Sequence, residues 1–299
     1  MKDKNNRITG IIFVLLGAGF WGIGGTASDY LFQNAGVNIN WFVSARLIIS
    51  GVLLLGAQMI LTGKWAIFTI WKDSKRRSAL IVFSLFGMLL VQYSYMASIN
   101  AGNAAVATLL QYLAPIYIVI WLIFRGYQKL QVSDVMAILL TIIGTLLLLT
   151  NGSFKGLAVS STALIWGIIS GISLAFYTLY ARKLLDFYSS VTVVGWAMII
   201  AGVCMNFIHP IWLVEHNWSF TTVIILGFTI LCGTTLAFWM VIKSLEYLEA
   251  KETTLLGTVE PLMAVVSSVL WLHLPFGIWQ VIGMLLILVL VLYLSLVKK

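Results

Sequence analysis

The chain has 299 residues, of which 61% are hydrophobic and only 9% are charged, and its formal net charge is +8. Soluble domains carry about 25% charged residues, so this composition excludes an ordinary water-soluble protein, and the mean hydropathy of +1.02 agrees with that exclusion. A membrane span needs about 20 apolar residues, so spans and short connections account for nearly the whole length.

The apolar segments, taken in chain order, predict an all-α integral membrane protein with ten transmembrane helices. Each segment is continuously hydrophobic over the length of a spanning helix, whereas membrane β-strands alternate in hydrophobicity over about ten residues. The first segment follows basic residues, as a signal peptide would, but it is too long and lacks a small-residue cleavage site. We place the spans near residues 8–28, 41–62, 78–98, 102–124, 132–150, 161–181, 190–209, 222–243, 253–272 and 277–297.

The basic residues in the connections predict the orientation. If the N-terminus is cytoplasmic and the spans alternate, sixteen Lys and Arg residues fall in cytoplasmic segments and Lys155 alone falls outside. This asymmetry is the positive-inside bias. We therefore expect a multi-pass protein of the cell membrane with both termini cytoplasmic. The bilayer then accounts for the charge, and no nucleic-acid partner is needed.

An internal repeat predicts two related halves. With an offset of 146 residues, the segment 98–140 aligns with 244–286 without a gap, and Pro115 meets Pro261, although the chain has only four prolines. Spans three to five thus repeat as spans eight to ten, which gives halves at residues 1–152 and 153–299. Because each half has five spans, the second half is inverted, and substrate sites in such folds lie where the halves meet.

The two aligned prolines predict paired bends near the centre of the two halves. Proline has no N–H, so it leaves the carbonyl four residues earlier without its helical partner. In a bilayer that carbonyl must be satisfied by protein or water. The alternative interpretation is a pair of packing kinks.

Glu260 directly precedes the second proline, and it is the only acid that the sequence places clearly inside a span. A carboxylate inside a bilayer is costly unless a proton or a cation neutralises it, so Glu260 is a candidate site for a proton or a cationic ligand. A structural carboxyl group bonded to a neighbouring helix is the alternative. Helical spacing places it on a small, polar face with Thr253, Gly257, Ala264 and Ser267.

Other candidates for the wall of a substrate cavity are polar or aromatic residues beside polar or small neighbours. For each ring, a place in the interfacial belt is the alternative. We expect Arg46, in the outer part of the second span, to extend to the lipid headgroups, with a role as partner to an acid as the alternative. Together with Glu260, the predicted substrate-binding residues are Trp21, Gln92, Tyr95, Gln111, Tyr112, Tyr177 and Trp239.

Several motifs in order resemble those of the drug/metabolite transporter superfamily, in its EamA-like group of ten-helix proteins with two repeats. They are Trp21-Gly22, Ala45-Arg46, the alanine-rich approach to Pro115, the YARKLL end of the sixth span, and Glu260-Pro261. The resemblance implies an inner-membrane carrier of metabolites, often an exporter, with a cavity between helices one, three, four, six, eight and nine. Many members end helices four and nine with Gly-Glu. Here Arg125-Gly126 and His273-Leu274 stand near those places, so no role of those glutamates is carried over.

These observations favour a secondary transporter that works by alternating access, with an amino acid or another amine-bearing solute as substrate and a proton as candidate coupling ion. A channel or facilitator for small polar solutes, or a carrier of sugars or nucleotide-like metabolites, is the alternative. An enzyme is not expected, because the three histidines lack metal-ligand spacing. No GxxxxGK[ST] motif indicates an ATP-driven pump, and we expect no cofactor and no metal.

Overall fold

The computed structural model describes residues 2–62, 65–127, 129, 132–153, 159–214 and 218–297, and within these ranges it is helical without a strand. A short 3₁₀-helix, Trp65–Trp71, connects the second and third helices. The helices are α1 (Lys2–Gln33), α2 (Ile39–Thr62), α3 (Ser74–Ala101), α4 (Ala104–Gln111), α5 (Ala114–Phe124), α6 (Val132–Thr150), α7 (Ser161–Leu185), α8 (Ser190–Ile208), α9 (Phe220–Ser244), α10 (Ala250–Gly257), α11 (Val259–Leu272) and α12 (Ile278–Val297).

Seven helices in the described ranges are long and apolar enough to cross a membrane. Three shorter apolar helices, Ile138–Thr150, Val259–Leu272 and Ile278–Val289, lie where the fifth, ninth and tenth spans were predicted. The chain is therefore an all-helical, multi-pass membrane protein. Lys64, Lys155, His216, Lys298 and Lys299 lie outside the described residues.

The distribution of side chains is that of a protein solvated by lipid. Large apolar residues face outward, and Phe124 and Phe207 are 83% and 86% exposed. Inside the bundle, many Ser and Thr hydroxyls return hydrogen bonds to the carbonyl one turn earlier, as Ser84 does to Leu80 (2.7 Å). A hydroxyl bonded to its own helix needs no water, so it can be buried between spans.

The helices pack in reciprocal pairs. α1 packs against α9 and α11, and α7 packs against α3, α4 and α5. Two further large contacts join α2 to α8 and α6 to α12. α2 and α8 run antiparallel, because Trp41 Nε1 donates to the Ile211 carbonyl (2.9 Å) at one end and Gln58 Nε2 reaches Ser189 Oγ (3.5 Å) at the other.

Close approach of α1 and α9 depends on two facing glycines. A Cβ atom at Gly24 would lie 2.8 Å from the Cα atom of Gly233. Small residues at such crossings let helix backbones approach in membranes, where packing rather than the hydrophobic effect drives association. Gly167 and Gly171 of α7 similarly face Leu110 and Tyr117.

Asp29 corrects the prediction that Glu260 is the only acid inside the bundle. α1 continues five residues beyond the predicted end at residue 28, so Asp29 lies within the helix, where it is only 2% exposed. Its Oδ2 accepts the backbone N–H of Ala104 (3.0 Å), the first residue of α4. Asp29 therefore satisfies an N–H group that the start of a helix leaves without a partner.

We predict that Asp29→Ala destabilises the protein by about 1–3 kcal/mol, because the Ala104 N–H then has no acceptor in a buried site. Asp29→Asn retains a side-chain oxygen and should cost less. Thermal unfolding in detergent measures both variants, with the exposed Asp186→Ala as control. Equal losses for the Ala and Asn variants would contradict this role.

Candidate functional site

A cavity of about 660 Å³ lies at the centre of the helix bundle. Its wall is formed by residues of α1 to α5 and α7 to α11, and no described residue of α6 or α12 contributes. α6 and α12 instead pack on each other at one side, where Gln280 Nε2 donates to the Leu148 carbonyl (3.2 Å). The lining is mainly apolar, with a few polar groups at fixed places, as is usual for a small-molecule site.

The cavity reaches one end of the bundle. Its wall includes Leu185 at the end of α7, Ser190 at the start of α8 and Leu245 just beyond α9. This is the end that carries the basic connections, since Arg76 Nη1 donates to the Lys183 carbonyl there (3.4 Å).

At the other end the cavity wall stops near Arg46 and Tyr95. Beyond them the helices are joined by direct contacts. The indoles of Trp41 and Trp218 meet edge to face with centroids 4.6 Å apart, and Gln33 Nε2 donates to the Asn100 carbonyl (2.9 Å). The cavity is therefore deep at this end and closed by side-chain packing.

Both aligned prolines lie beside an interruption of a helix. α4 ends at Gln111 and α5 begins at Ala114, and at this break Leu113 N–H donates to Leu110 O, only three residues back (3.2 Å). α10 ends at Gly257 and α11 begins at Val259. The two breaks differ by the same offset of 146 residues as the sequence repeat.

Tyr112 connects the two breaks. Pro261 has no N–H to offer the carbonyl of Gly257 four residues earlier, and the Tyr112 hydroxyl donates to that carbonyl instead (2.8 Å). The same hydroxyl lies 3.1 Å from Oε2 of Glu260. A residue at the first proline break thus satisfies the backbone at the second and contacts its acid.

Glu260 lies on the cavity wall and is not ion-paired to any residue that the structure describes. Its hydrogen-bond partner there is the neutral hydroxyl of Tyr112. The predicted polar face divides at this residue. Thr253 and Gly257 also line the cavity, whereas Ser267 bonds to Thr26 Oγ1 of α1 (2.7 Å).

Two further polar contacts fix side chains of the wall. Gln111 Nε2 donates to Ser170 Oγ of α7 (2.7 Å). The Tyr95 and Thr108 hydroxyls are 2.8 Å apart, and Thr108 Oγ1 also donates to the Ala104 carbonyl (2.8 Å). These bonds hold α3 and α7 against α4, just before its break.

Arg46 does not extend to the headgroups, so that prediction was wrong. Its side chain turns inward, the residue is only 7% exposed, and it lines the cavity. Nη2 donates to Gln92 Oε1, Nη1 contacts the sulfur of Met96 (3.4 Å), and the guanidinium lies 5.7 Å from the ring centre of Phe42. The partner is therefore an amide and not an acid.

The structure brings most of the predicted residues together but not all of them. Trp239 and Pro261 lie outside the wall: Trp239 packs on Phe13 with centroids 5.7 Å apart, and Pro261 is buried. Phe238, which sequence reasoning missed, faces the cavity and packs edge to face on Trp21 (4.9 Å). Trp21, Gln92, Tyr95, Gln111, Tyr112, Tyr177, Glu260 and Pro115 all line the cavity.

Two π-helical turns also face the cavity. They are Phe83–Leu89 within α3 and Leu231–Leu236 within α9. Each places residues on the wall, Phe83 and Met88 from the first and Gly233 from the second. π-turns of this kind occur frequently at functional sites. No sequence signal identified them.

A polytopic helical membrane protein with a partly charged, aromatic cavity open at one end has the architecture of a solute transporter. Comparison with protein families specifies the class: residues 8–150 and 161–296 match the EamA-like transporter family, and the chain belongs to that family. This confirms the resemblance found in the sequence.

Individual relatives agree with the family. The chain is 33% identical over 290 residues to the inner membrane transporter YicL of Salmonella typhimurium, covering 96% of this chain and 95% of the relative. It is 32% identical over 104 residues to a transporter of Archaeoglobus fulgidus, covering 35% and 36% of the two chains. A solved crystal structure with 14% identity matches with a TM-score of 0.64 over 98% of this chain and 96% of that chain, which shows the fold.

Tyr112→Phe should lower the free energy of unfolding by about 1–2 kcal/mol, because it leaves the Gly257 carbonyl without a donor inside the membrane. Tyr177→Phe is the matched control, since it removes a hydroxyl from the same cavity at a position that does not bridge the two breaks. Thermal unfolding in detergent provides the comparison. A loss for Tyr112→Phe no larger than that for Tyr177→Phe would show that the bridge does not stabilise the fold.

Proposed function

We propose that this protein is a secondary transporter that moves an amine-bearing metabolite, an amino acid foremost, across the inner membrane by alternating access and in exchange for a proton. The observation that carries the proposal is Glu260, a carboxyl group on the wall of a membrane-embedded cavity with only a tyrosine hydroxyl as its described partner. A carboxylate in such a place is stabilised by whichever cation reaches it.

The aromatic wall supports a cationic substrate. Trp21, Tyr95, Tyr112 and Tyr177 line the same cavity as Glu260. The face of an aromatic ring attracts an ammonium group by about 0.5–2 kcal/mol. A sugar or an anion would gain neither this attraction nor the charge of Glu260, so both are disfavoured at this part of the wall.

Competition at one carboxylate gives a direction to the transport. Glu260 can bind a proton or an ammonium group but not both, so an inward proton gradient exchanges protons for the amine and drives export. Tyr112 adds a link to the backbone. Its single hydroxyl proton serves either the Gly257 carbonyl or the Glu260 carboxylate, and a protonated Glu260 releases it for the carbonyl.

For the architecture we propose ten membrane helices in two inverted five-helix halves, residues 1–152 and 153–299. The breaks beside Pro115 and Pro261 recur at the spacing of the sequence repeat, and the π-turns in α3 and α9 recur within two residues of it. The packing is reciprocal as well: α1 contacts the second half as α7 contacts the first.

The antiparallel pairs support inversion in particular. Under this assignment α2 and α8 are equivalent helices, and so are α6 and α12. Equivalent helices related by an axis along the membrane normal would run parallel, whereas an axis in the membrane plane makes them antiparallel. α2 runs antiparallel to α8, and for α6 and α12 the contacts from Gly144 to Gly283 and from Asn151 to Gly277 run in opposite chain directions.

We further propose that both termini and the open end of the cavity are cytoplasmic, following the positive-inside bias. The salt bridge from Arg7 to Glu252 (2.5 Å) joins the N-terminal part of α1 to α10 at that end. The opposite end is closed by packing, which disfavours an open channel and favours a carrier that exposes its site to one side at a time.

The orientation is tested by impermeant thiol labelling of intact cells, after Cys204 and Cys232 are replaced by Ala. A cysteine at Lys75 should be protected until the cells are permeabilised, and one at the exposed Leu213 should react at once. Labelling in the reverse pattern would invert the proposed topology.

Glu260→Gln tests the exchange mechanism, because it keeps the size and hydrogen bonding of the side chain and removes its charge. In proteoliposomes, efflux of an amine-bearing probe driven by an inward proton gradient should fall by about tenfold or more. Wild-type binding of the probe should strengthen as pH rises, because a deprotonated carboxylate binds the ammonium group, and the variant should lose this dependence.

The matched control is Glu249→Gln, an exposed acid just before α10. It should leave both the transport rate and the pH profile unchanged. A wild-type rate and pH profile in Glu260→Gln would make that residue purely structural, and the preference for amines would fall with it.

A further inference from the structure

The cavity contains a second charged group that the exchange mechanism does not use. Arg46 lies on the wall with 7% exposure, and no carboxylate among the described residues pairs with it. A guanidinium removed from water without a counter-charge is costly unless it is hydrogen-bonded or paired. Its described contacts are one amide oxygen, one thioether sulfur and one aromatic ring.

Gln92 adds donors to this site. Arginine has only N–H donors, so the amide oxygen of Gln92 must face Arg46, and the two N–H bonds of that amide remain. The buried polar atoms that lack a partner in the described part of the chain include none from Arg46 or Gln92. Arg46 Nε and Gln92 Nε2 have no described partner, so they retain accessible surface, and both residues form part of the cavity wall.

Arg46 and Glu260 share the cavity without neutralising each other. They stand on α2 and α11 and do not form an ion pair. Tyr95 lines the same cavity, and its hydroxyl is fixed by Thr108. The cavity thus presents a cationic site at its closed end and an acidic site at the proline break, with mainly apolar wall elsewhere.

We propose that Arg46 and Gln92 bind the carboxylate of a zwitterionic substrate whose ammonium group binds Glu260, so that the two charges of the solute lie apart along the cavity. The assignment of the ammonium end rests on the proposed function, and the carboxylate end rests on Arg46 and Gln92 alone. The substrate class is an amino acid in which a short carbon chain separates the bound amine from the carboxylate. Examples are an ω-amino acid and a basic amino acid that binds through its side-chain amine.

Three six-carbon probes and alanine test this arrangement. 6-Aminohexanoate has both charges, hexylamine replaces the carboxylate by a methyl group, and hexanoate lacks the amine. Ligand-dependent thermal stabilisation of the detergent-solubilised protein gives the affinities. We expect 6-aminohexanoate to bind at least about tenfold more tightly than hexylamine. Hexylamine lacks the carboxylate, so it loses the charged hydrogen bonds to Arg46 and Gln92. It should also bind more tightly than hexanoate or alanine.

Two variants at the carboxylate site should abolish the advantage of 6-aminohexanoate over hexylamine. Arg46→Gln removes the charge. Gln92→Glu retains Arg46 and places a carboxylate of the protein beside it. The guanidinium is then paired within the fold, and the carboxylate of a substrate can no longer bind to it. Arg125→Gln, an exposed arginine outside the cavity wall, is the control and should leave all four affinities unchanged.

The outcomes separate the two proposals. If wild type binds hexylamine as tightly as 6-aminohexanoate, or if both variants keep the preference, the carboxylate site is wrong. If alanine matches 6-aminohexanoate, the separation of charges is wrong. If Glu260→Gln leaves hexylamine binding intact while Arg46→Gln still weakens 6-aminohexanoate, the proposed function fails at the amine end and the carboxylate site stands.

Discussion

Inside a bilayer every backbone carbonyl needs a hydrogen-bond donor from the protein or from a water-filled cavity. At the centre of this molecule, the carbonyl of Gly257 has no donor from its own helix. Pro261 cannot bond to Gly257, so the carbonyl of Gly257 turns to the hydroxyl of Tyr112 (2.8 Å). That bond ties α10 to the break between α4 and α5. The same loss of helical structure opens the backbone beside the cavity, so the break in the helix and the wall of the site coincide.

This arrangement joins a chemical event to a structural one. Tyr112 lies within hydrogen-bonding distance of both Gly257 O and Glu260 Oε2, and it has one proton to donate. In the proposed exchange, neutralising Glu260 removes its demand for that proton, and binding an ammonium group does the same by another route. Either occupant would then strengthen the bridge between the two proline breaks, whereas an empty, charged Glu260 would compete with it. Such competition would give the proposed transporter a physical reason to move only when its site is filled.

Features that depend on local chemistry could be predicted from the sequence, and features that depend on tertiary position could not. Glu260 and the two prolines were recognisable because a charge or a missing N–H inside an apolar run is unusual wherever the helix packs. Arg46 was misjudged because its distance from the span end suits both a headgroup and a cavity, and only the packing of α2 against α3 decides between them. Asp29 was missed because α1 is longer than its apolar run. Trp239 was predicted and Phe238 was not, because the sequence does not show which of two neighbouring helical residues, about 100° apart, faces the cavity.

One end of the cavity is open and the other is closed by side-chain contacts, so a movement that opens the closed end has to break those contacts. At the closed end the joints are short and specific, such as the bond from Asp29 to Ala104 (3.0 Å) and the stacking of Tyr30 on Trp271 (5.6 Å). Both joints involve α1, which runs parallel to α11 from Gly22 beside Met263 to Tyr30 beside Trp271. In the proposed alternating access, opening that end requires separating α1 from α4 near Asp29, while the Tyr112 bridge lies deeper, between α4 and α10. A hinge at the proline breaks would let the outer ends part without breaking the bridge, because the breaks are where the helices already lack continuous hydrogen bonding.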